Sequence, residues 1–169
     1  MIDGKYEFIA INPVTGNEYS EKDALIWRAD CIWIGTLLEL YRISCIRLLT
    51  SAIHVDNIDM LITRVTEYQK NEYSRGKFRI DYKFDIYGIR LADAAEYTSN
   101  NAIIFCAKDR ALIYALNLLI QHCIDMEADG GYVDSLYQLL NKIREFQHIF
   151  GNKLPTTTTE EFSRNPALP

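Results

Sequence analysis

Two five-residue stretches carry the sharpest chemical contrast in the chain. Arg28-Ala29-Asp30-Cys31-Ile32 and Cys106-Ala107-Lys108-Asp109-Arg110 occupy equivalent places in two similar halves, 78 positions apart. The apolar framework around them is kept while the polar groups change. Each stretch leads into an apolar helical run, and the first N–H groups of a helix have no partner of their own. Lys108 and Arg110 beside such a start suit a small anion. Arg28, Asp30 and Asp109 complete that candidate set, and the aspartates can cap a new helix. Tyr87 joins it as a recognition residue, with Tyr73 nearby, because tyrosine pairs an apolar body with a polar tip. The plainer reading is a solvated hinge with local ion pairs.

Catalytic groupings are not visible. The three histidines, His54, His122 and His148, face Tyr132, Ser44 and Lys70 at the equivalent positions, so none is used twice. No His-x-x-x-His spacing, Gly-x-Ser-x-Gly elbow or Gly-rich phosphate loop occurs. The carboxylates kept in both halves are Glu18/Glu96, Asp56/Asp134 and Glu67/Glu145. They read as helix caps, a solvated helix face and turn chemistry rather than as an acid pair. Cys31, Cys45, Cys106 and Cys123 have no metal-ligand spacing. Cys45 and Cys123 read as small buried hydrophobes, and the set suits a reducing cytoplasmic setting. No metal or cofactor is expected.

The halves that position these groups run from about Asp3 to Asn71 and from Asp81 to Ile149, without a gap. Ala24-Leu25-Ile26-Trp27 becomes Ala102-Ile103-Ile104-Phe105, and Glu67-Tyr68-Gln69 becomes Glu145-Phe146-Gln147. Each half opens with a strand. Phe78, Ile80, Tyr82, Phe84 and Ile86 alternate with Arg79, Asp81, Lys83 and Asp85, the period of a half-buried strand. Asn12-Pro13-Val14-Thr15-Gly16 reads as a turn, replaced in the second half by Arg90-Leu91-Ala92-Asp93-Ala94. Ser20 and Thr98 then read as N-caps of a first helix over Ala24–Trp27 and Ala102–Phe105. The second helix spans about Ile32–Leu49 and Arg110–Glu127. It is apolar on nearly every face and therefore expected at the centre. Gly130-Gly131 is expected to end it. The third helix buries Ile58, Leu61, Ile62, Val65 and Tyr68, or Leu136, Leu139, Leu140, Ile143 and Phe146. Asp56 and Asp134 are its expected N-caps.

The fold class is therefore α+β and predominantly helical. It comprises two tandem strand–helix–helix–helix repeats related by a pseudo-twofold axis, with an extended C-terminal tail. The units are residues 1–76, 77–150 and 151–169, the first two forming one globule. The tail is expected along the body or across a neighbouring subunit.

The chain has 169 residues, 49% of them hydrophobic, which is ample for a core. A net charge of −5 argues against a general nucleic-acid binder. A local basic stretch (Lys70, Arg75, Lys77, Arg79, Lys83, Arg90) reads as a solvated strand face. The greasiest run, Ala24–Leu49, carries five charges, so no membrane span is expected, and no leader peptide is visible. The resulting expectation is a non-enzymatic cytoplasmic binding or interaction protein that forms a homo-oligomer. The alternative is a protein that binds or sequesters a small nucleotide-like anion, of the kind carried by viruses of bacteria. An enzyme is the least favoured reading.

Overall fold

The computed structural model describes residues 1–71 and 79–166. Tyr73, Arg75, Lys77 and Phe78 lie outside the described residues. In chain order the elements are β1 (Tyr6–Ile11), β2 (Glu18–Ser20), β3 (Ala24–Arg28), α1 (Ile34–Arg47), α2 (Ala52–Lys70), β4 (Asp85–Arg90), β5 (Glu96–Thr98), β6 (Ala102–Cys106), α3 (Arg110–Asp125), α4 (Gly130–Phe150) and α5 (Thr159–Ser163). The fold is α+β, with two small antiparallel sheets.

The strands and helices stack as three layers. A four-stranded sheet, order β2-β1-β4-β5, is joined at its centre by β1 against β4, with Tyr6 opposite Arg90 and Ile11 opposite Asp85. A two-stranded ribbon, β3 against β6, forms the middle layer, with Ala24 opposite Cys106. One ribbon face (Ala24, Ile26, Ala102, Ile104) packs on Tyr6, Phe8, Ala10, Ile86 and Tyr97 of the outer sheet. The other face (Leu25, Trp27, Ile103, Phe105) joins the helical core around Leu37, Leu38, Leu112 and Leu116. The helices α1 and α3 pack against each other, with α2 and α4 on their flanks.

The ribbon replaces the expected first helix. A strand covered on both faces loses the alternation of a half-buried one and reads as a continuous apolar run. Ala24–Trp27 and Ala102–Phe105 are buried at every position. Each half is thus three strands and two helices, not one strand and three helices. Ser20 and Thr98 do not cap helices. Their N–H groups donate to Asp23 Oδ1 and Asn101 Oδ1, both at 2.8 Å, in the tight turns that lead into the ribbon.

Other boundaries also move. The N-caps of α2 and α4 are Ser51 and Asp129, so Asp56 and Asp134 fall inside the helices. Gly130-Gly131 opens α4 instead of closing α3. The left-handed residues beyond α1 and α3 are Leu49 (φ 60°) and Glu127 (φ 54°), a place more often given to glycine. Asp109 does cap α3, but α1 begins at Trp33 without a side-chain cap, so Asp30 has no such role. Nor are α1 and α3 buried all round, since Ile43, Ile46, Tyr114, Leu118 and Ile124 are exposed.

Buried polar residues hold the corners. Asp3 and Asp81, 78 positions apart, each reach into the ribbon. Asp3 accepts from Lys5 N and Ile26 N, both at 3.0 Å. Asp81 accepts from Lys83 N, Phe84 N and Ile104 N. The second half's first strand therefore starts at Asp85, because Asp81 turns inward to make a loop rather than facing solvent. Gln69 and Gln147 do similar work, each donating its side-chain amide to two carbonyls at the strand-to-helix corner: Ala29 and Cys31, or Ala107 and Asp109. Within the expected basic stretch, Arg79 pairs with Asp85 at 2.6 Å and stacks over Tyr82.

The C-terminal segment runs along its own chain. Lys153 pairs in parallel with Asp109, Pro155 and Thr157 turn inward, and α5 follows under a Thr158–Glu161 capping box. Asn165 bonds Arg64 at 2.8 Å and Asn57 at 2.9 Å.

Candidate functional site

Two clefts flank the ribbon, one at each end. The first, of about 170 Å³, is lined by Asn12, Tyr41, His54, Lys83, Cys106 and Asp109. Lys153, Pro155, Thr156, Thr158 and Glu161 of the C-terminal segment close it. The second, of about 420 Å³, is lined by Asp3, Lys5, Arg28, Cys31, Arg90, Tyr132 and Lys142, and among the described residues no segment closes it as residues 153–161 close the first. Moving 78 positions carries Asp3, Lys5, Arg28 and Cys31 onto Asp81, Lys83, Cys106 and Asp109, and carries Asn12 and His54 onto Arg90 and Tyr132.

The closed cleft contains a continuous hydrogen-bonded chain. The Asp109 carboxylate caps α3 through Ala111 N at 2.8 Å and accepts the Tyr41 hydroxyl. The Tyr41 oxygen lies 3.2 Å from His54 Nε2, and His54 Nδ1 lies 2.8 Å from Thr157 Oγ1. With the Tyr41 proton given to Asp109, the network assigns the imidazole proton to Nε2 and leaves Nδ1 to accept from Thr157. Burial pushes the Asp109 carboxyl up to about 6, against the Tyr41 and backbone bonds that favour its charged form. Burial, helped by the Lys83 ammonium, pulls His54 down to about 4. A neutral histidine and an ionised aspartate at neutral pH satisfy every donor in this chain.

A hydroxyl donating to a neutral imidazole is also how a nucleophile is primed. Here the Thr157 hydroxyl belongs to the segment that closes the cavity, and the residue is only 6% exposed. Cys106 is no better placed as a nucleophile, because burial and the Asp109 carboxylate push its thiol up to about 12. The polar chain instead fastens the C-terminal segment. Glu161 completes the fastening: its Oε1 accepts from Asn12 Nδ2 at 2.5 Å and its Oε2 from Thr158 N at 2.6 Å. The Lys83 ammonium lies 3.9 Å away. Burial works to raise the Glu161 pKa, but these bonds and that charge outweigh it and hold the carboxyl below its ordinary value.

The open cleft has different equipment. Arg28 pairs with Asp30 at 3.2 Å and bonds Tyr97, while Arg90 forks onto Asp93, with Nε at 2.8 Å from Oδ1. Lys5 and Lys142 are exposed at the rim. The Tyr132 hydroxyl is buried without a geometrically formed hydrogen bond, and the Cys31 thiol is the polar group beside it. The lining thus brings four cations around a single buried acid, Asp3, in a protein of net charge −5.

The sequence candidates divide between these places. Arg28 lines the open cleft, and Asp30 pairs with it. Asp109 lines the closed one, while its neighbours Lys108 and Arg110 are exposed and outside the lining. At the start of α3, Arg110 N donates to Lys153 O and Ala111 N to Asp109 Oδ1, so these two donors are already engaged. Tyr87 lies on the outer face of the four-stranded sheet, 66% exposed, opposite Ile9. Glu18 and Glu96 stand exposed at the starts of β2 and β5. Tyr41, His54 and Tyr132 were not singled out as site residues. Their signal was present in the mismatch of the halves, where Tyr41 faces Leu119 and His54 faces Tyr132.

Among the described residues no cluster of His, Cys, Asp or Glu has the arrangement to hold a metal ion, and no helix is long and apolar enough to cross a membrane. Comparison with protein-family models, with curated proteins and with solved structures finds no match.

Proposed function

We propose that this is a non-enzymatic binding protein whose open cleft takes a negatively charged ligand. The observation that carries the reading is the convergence of Lys5, Arg28, Arg90 and Lys142 on a 420 Å³ cavity whose wall holds an unpartnered hydroxyl. Cations gathered against apolar walls strengthen attraction to an anion, and a buried hydroxyl without a partner gains a hydrogen bond when one arrives. We further infer that the two halves are copies of one unit about a pseudo-twofold axis. The antiparallel pairings of β1 with β4 and of β3 with β6 support this, as do the matched roles of Asp3 and Asp81. On that view the clefts are two versions of one site, one closed from within. Self-association would draw on the outer sheet face, where Ile9, Tyr87 and Ile89 are exposed together.

Titration of the labelled protein with inorganic phosphate or succinate, followed by NMR, tests the reading. Amide shifts should concentrate at residues 2–6, 26–31 and 132–142. Arg28→Gln with Lys142→Gln should weaken binding about tenfold, while Lys108→Ala with Arg110→Ala should leave it unchanged. Shifts that follow Lys108 and Arg110, or no saturable shifts, would overturn it.

A further inference from the structure

We propose that the open cleft binds an extended peptide segment of a partner protein that presents a carboxylate side chain, held as the closed cleft holds residues 153–161. The proposal rests on the anion-binding reading above and names its ligand class.

The closed cleft shows what such a site grips. It fixes its segment at three points. The Lys153 backbone donates to Lys108 O and accepts from Arg110 N, both at 2.9 Å. Four residues on, the Thr157 hydroxyl meets His54 Nδ1 at 2.8 Å. Four residues further, the Glu161 carboxylate meets Asn12 and faces Lys83. Pro155 fills the space between, buried like Thr157.

Each grip has a counterpart at the open cleft. Asp30 and Ile32 stand 78 positions before Lys108 and Arg110, and Ile32 is 77% exposed, with no described segment over it. Tyr132 replaces His54, and its buried hydroxyl is the unpartnered one. Arg90 and Lys5 replace Asn12 and Lys83 at the carboxylate position. Exchanging an amide for a guanidinium raises the charge of that pocket, so it favours a carboxylate more strongly than the closed site does. Arg90 lies at the surface, and among the described residues its ion pair is with the exposed Asp93, which it can exchange for a stronger partner.

Several separated grips favour a segment over a small ion. A single phosphate can meet some of these groups, but grips spaced four extended residues apart, on the order of 13 Å, are spanned together only by a chain. A chain with a hydroxyl residue four positions before a carboxylate meets all three. The chain's own segment is the wrong occupant, because it is already engaged and its tether favours the cleft it sits in.

The probe is a fluorescent peptide of the sequence Lys153–Arg164, added to the full chain and followed by anisotropy and calorimetry. Saturable binding is expected at one peptide per chain. A peptide carrying Glu161→Gln should bind about tenfold more weakly, as should the wild-type peptide to Arg90→Gln protein. Tyr132→Phe should weaken binding several-fold with little change in melting temperature, since the hydroxyl it removes has only the weakly bonding Cys31 thiol beside it among the described residues. Peptide binding indifferent to both Arg90→Gln and Tyr132→Phe would mean exchange into the closed cleft and would overturn the proposal. Saturable phosphate shifts at the open cleft with no peptide binding would overturn it too, leaving the anion-binding reading in place. Absence of both would remove the two together.

Discussion

In the closed cleft the Tyr41 phenol stands between an acid and a base whose titrations oppose each other. Asp109 has a folded pKa near 6 against an ordinary 3.8. Its contribution to stability is therefore full below pH 3.8 and is lost as pH rises through about 6. His54 has a folded pKa near 4 against an ordinary 6.5. Its contribution is full above pH 6.5 and is lost as pH falls through about 4. Each shift corresponds to about 3 kcal/mol across nearly the same window, and the signs cancel. Asp3 and Asp81, also raised by burial, add to the acid side. With Asp109 and His54 offsetting each other, urea midpoints of the parent should fall as pH rises from 4 to 6.5 only by the share that Asp3 and Asp81 add. Asp109→Asn should leave a stability that rises with pH relative to the parent, and His54→Asn one that falls. Parallel profiles for the two variants would show that the pair does not titrate as the geometry implies.

At the level of elements, the ribbon decides how much could be read from the chain. Along β1 the buried Tyr6, Phe8 and Ala10 alternate with more exposed residues, a period the sequence displays because one face of that strand meets the core and the other meets water. Ala24–Trp27 gave no such mark, because sheet and helices cover both faces of β3, and four apolar residues alone carry no period. The helical positions Ile58, Val65 and Tyr68, or Leu136, Leu140 and Ile143, were legible for the same reason as β1: one side of each helix is wet. The surroundings of Lys108–Arg110 were illegible in a different way. A helix start advertises free donors, but only the folded chain shows that Lys153 has taken one of them. The sheet-to-ribbon contact gives a sharp test. A Cβ on Gly88 would lie 2.7 Å from Phe8 Cβ and 3.1 Å from Ile26 Cδ1. Gly88→Ala should thus destabilise by about 1–3 kcal/mol in chemical denaturation, despite the gain in strand propensity. A neutral or stabilising result would mean that the two layers are further apart.

At the scale of the whole molecule, the C-terminal segment ties three parts of the fold together: Glu161 to Asn12 after β1, Thr157 to His54 on α2, and Asn165 to Arg64 further along α2. Arg64 also donates to Ile80 O at 2.7 Å and lies 4.9 Å from the centre of the Tyr82 ring, so the loop before β4 is drawn into the same assembly. A chain ending at Leu154 should lose about 3 kcal/mol, because bonds to charged groups and a buried imidazole partner disappear together. That loss should lower the melting temperature by about 10 °C for a protein of this size. An unchanged melting temperature would mean that the segment contributes no stability where it lies.

The pairings β1–β4 and β3–β6 have a kinetic consequence. The residues they join, such as Tyr6 with Arg90 and Ala24 with Cys106, lie on the order of 80 positions apart along the chain. Hairpins and helices can form locally, but the ribbon and the sheet centre cannot appear until that long loop has closed. Contacts so distant in sequence slow the search for the native state. Until closure, the apolar edges of β3 and β6 have no partner, and so the chain's greatest exposure to misassociation falls in the interval before its two halves meet.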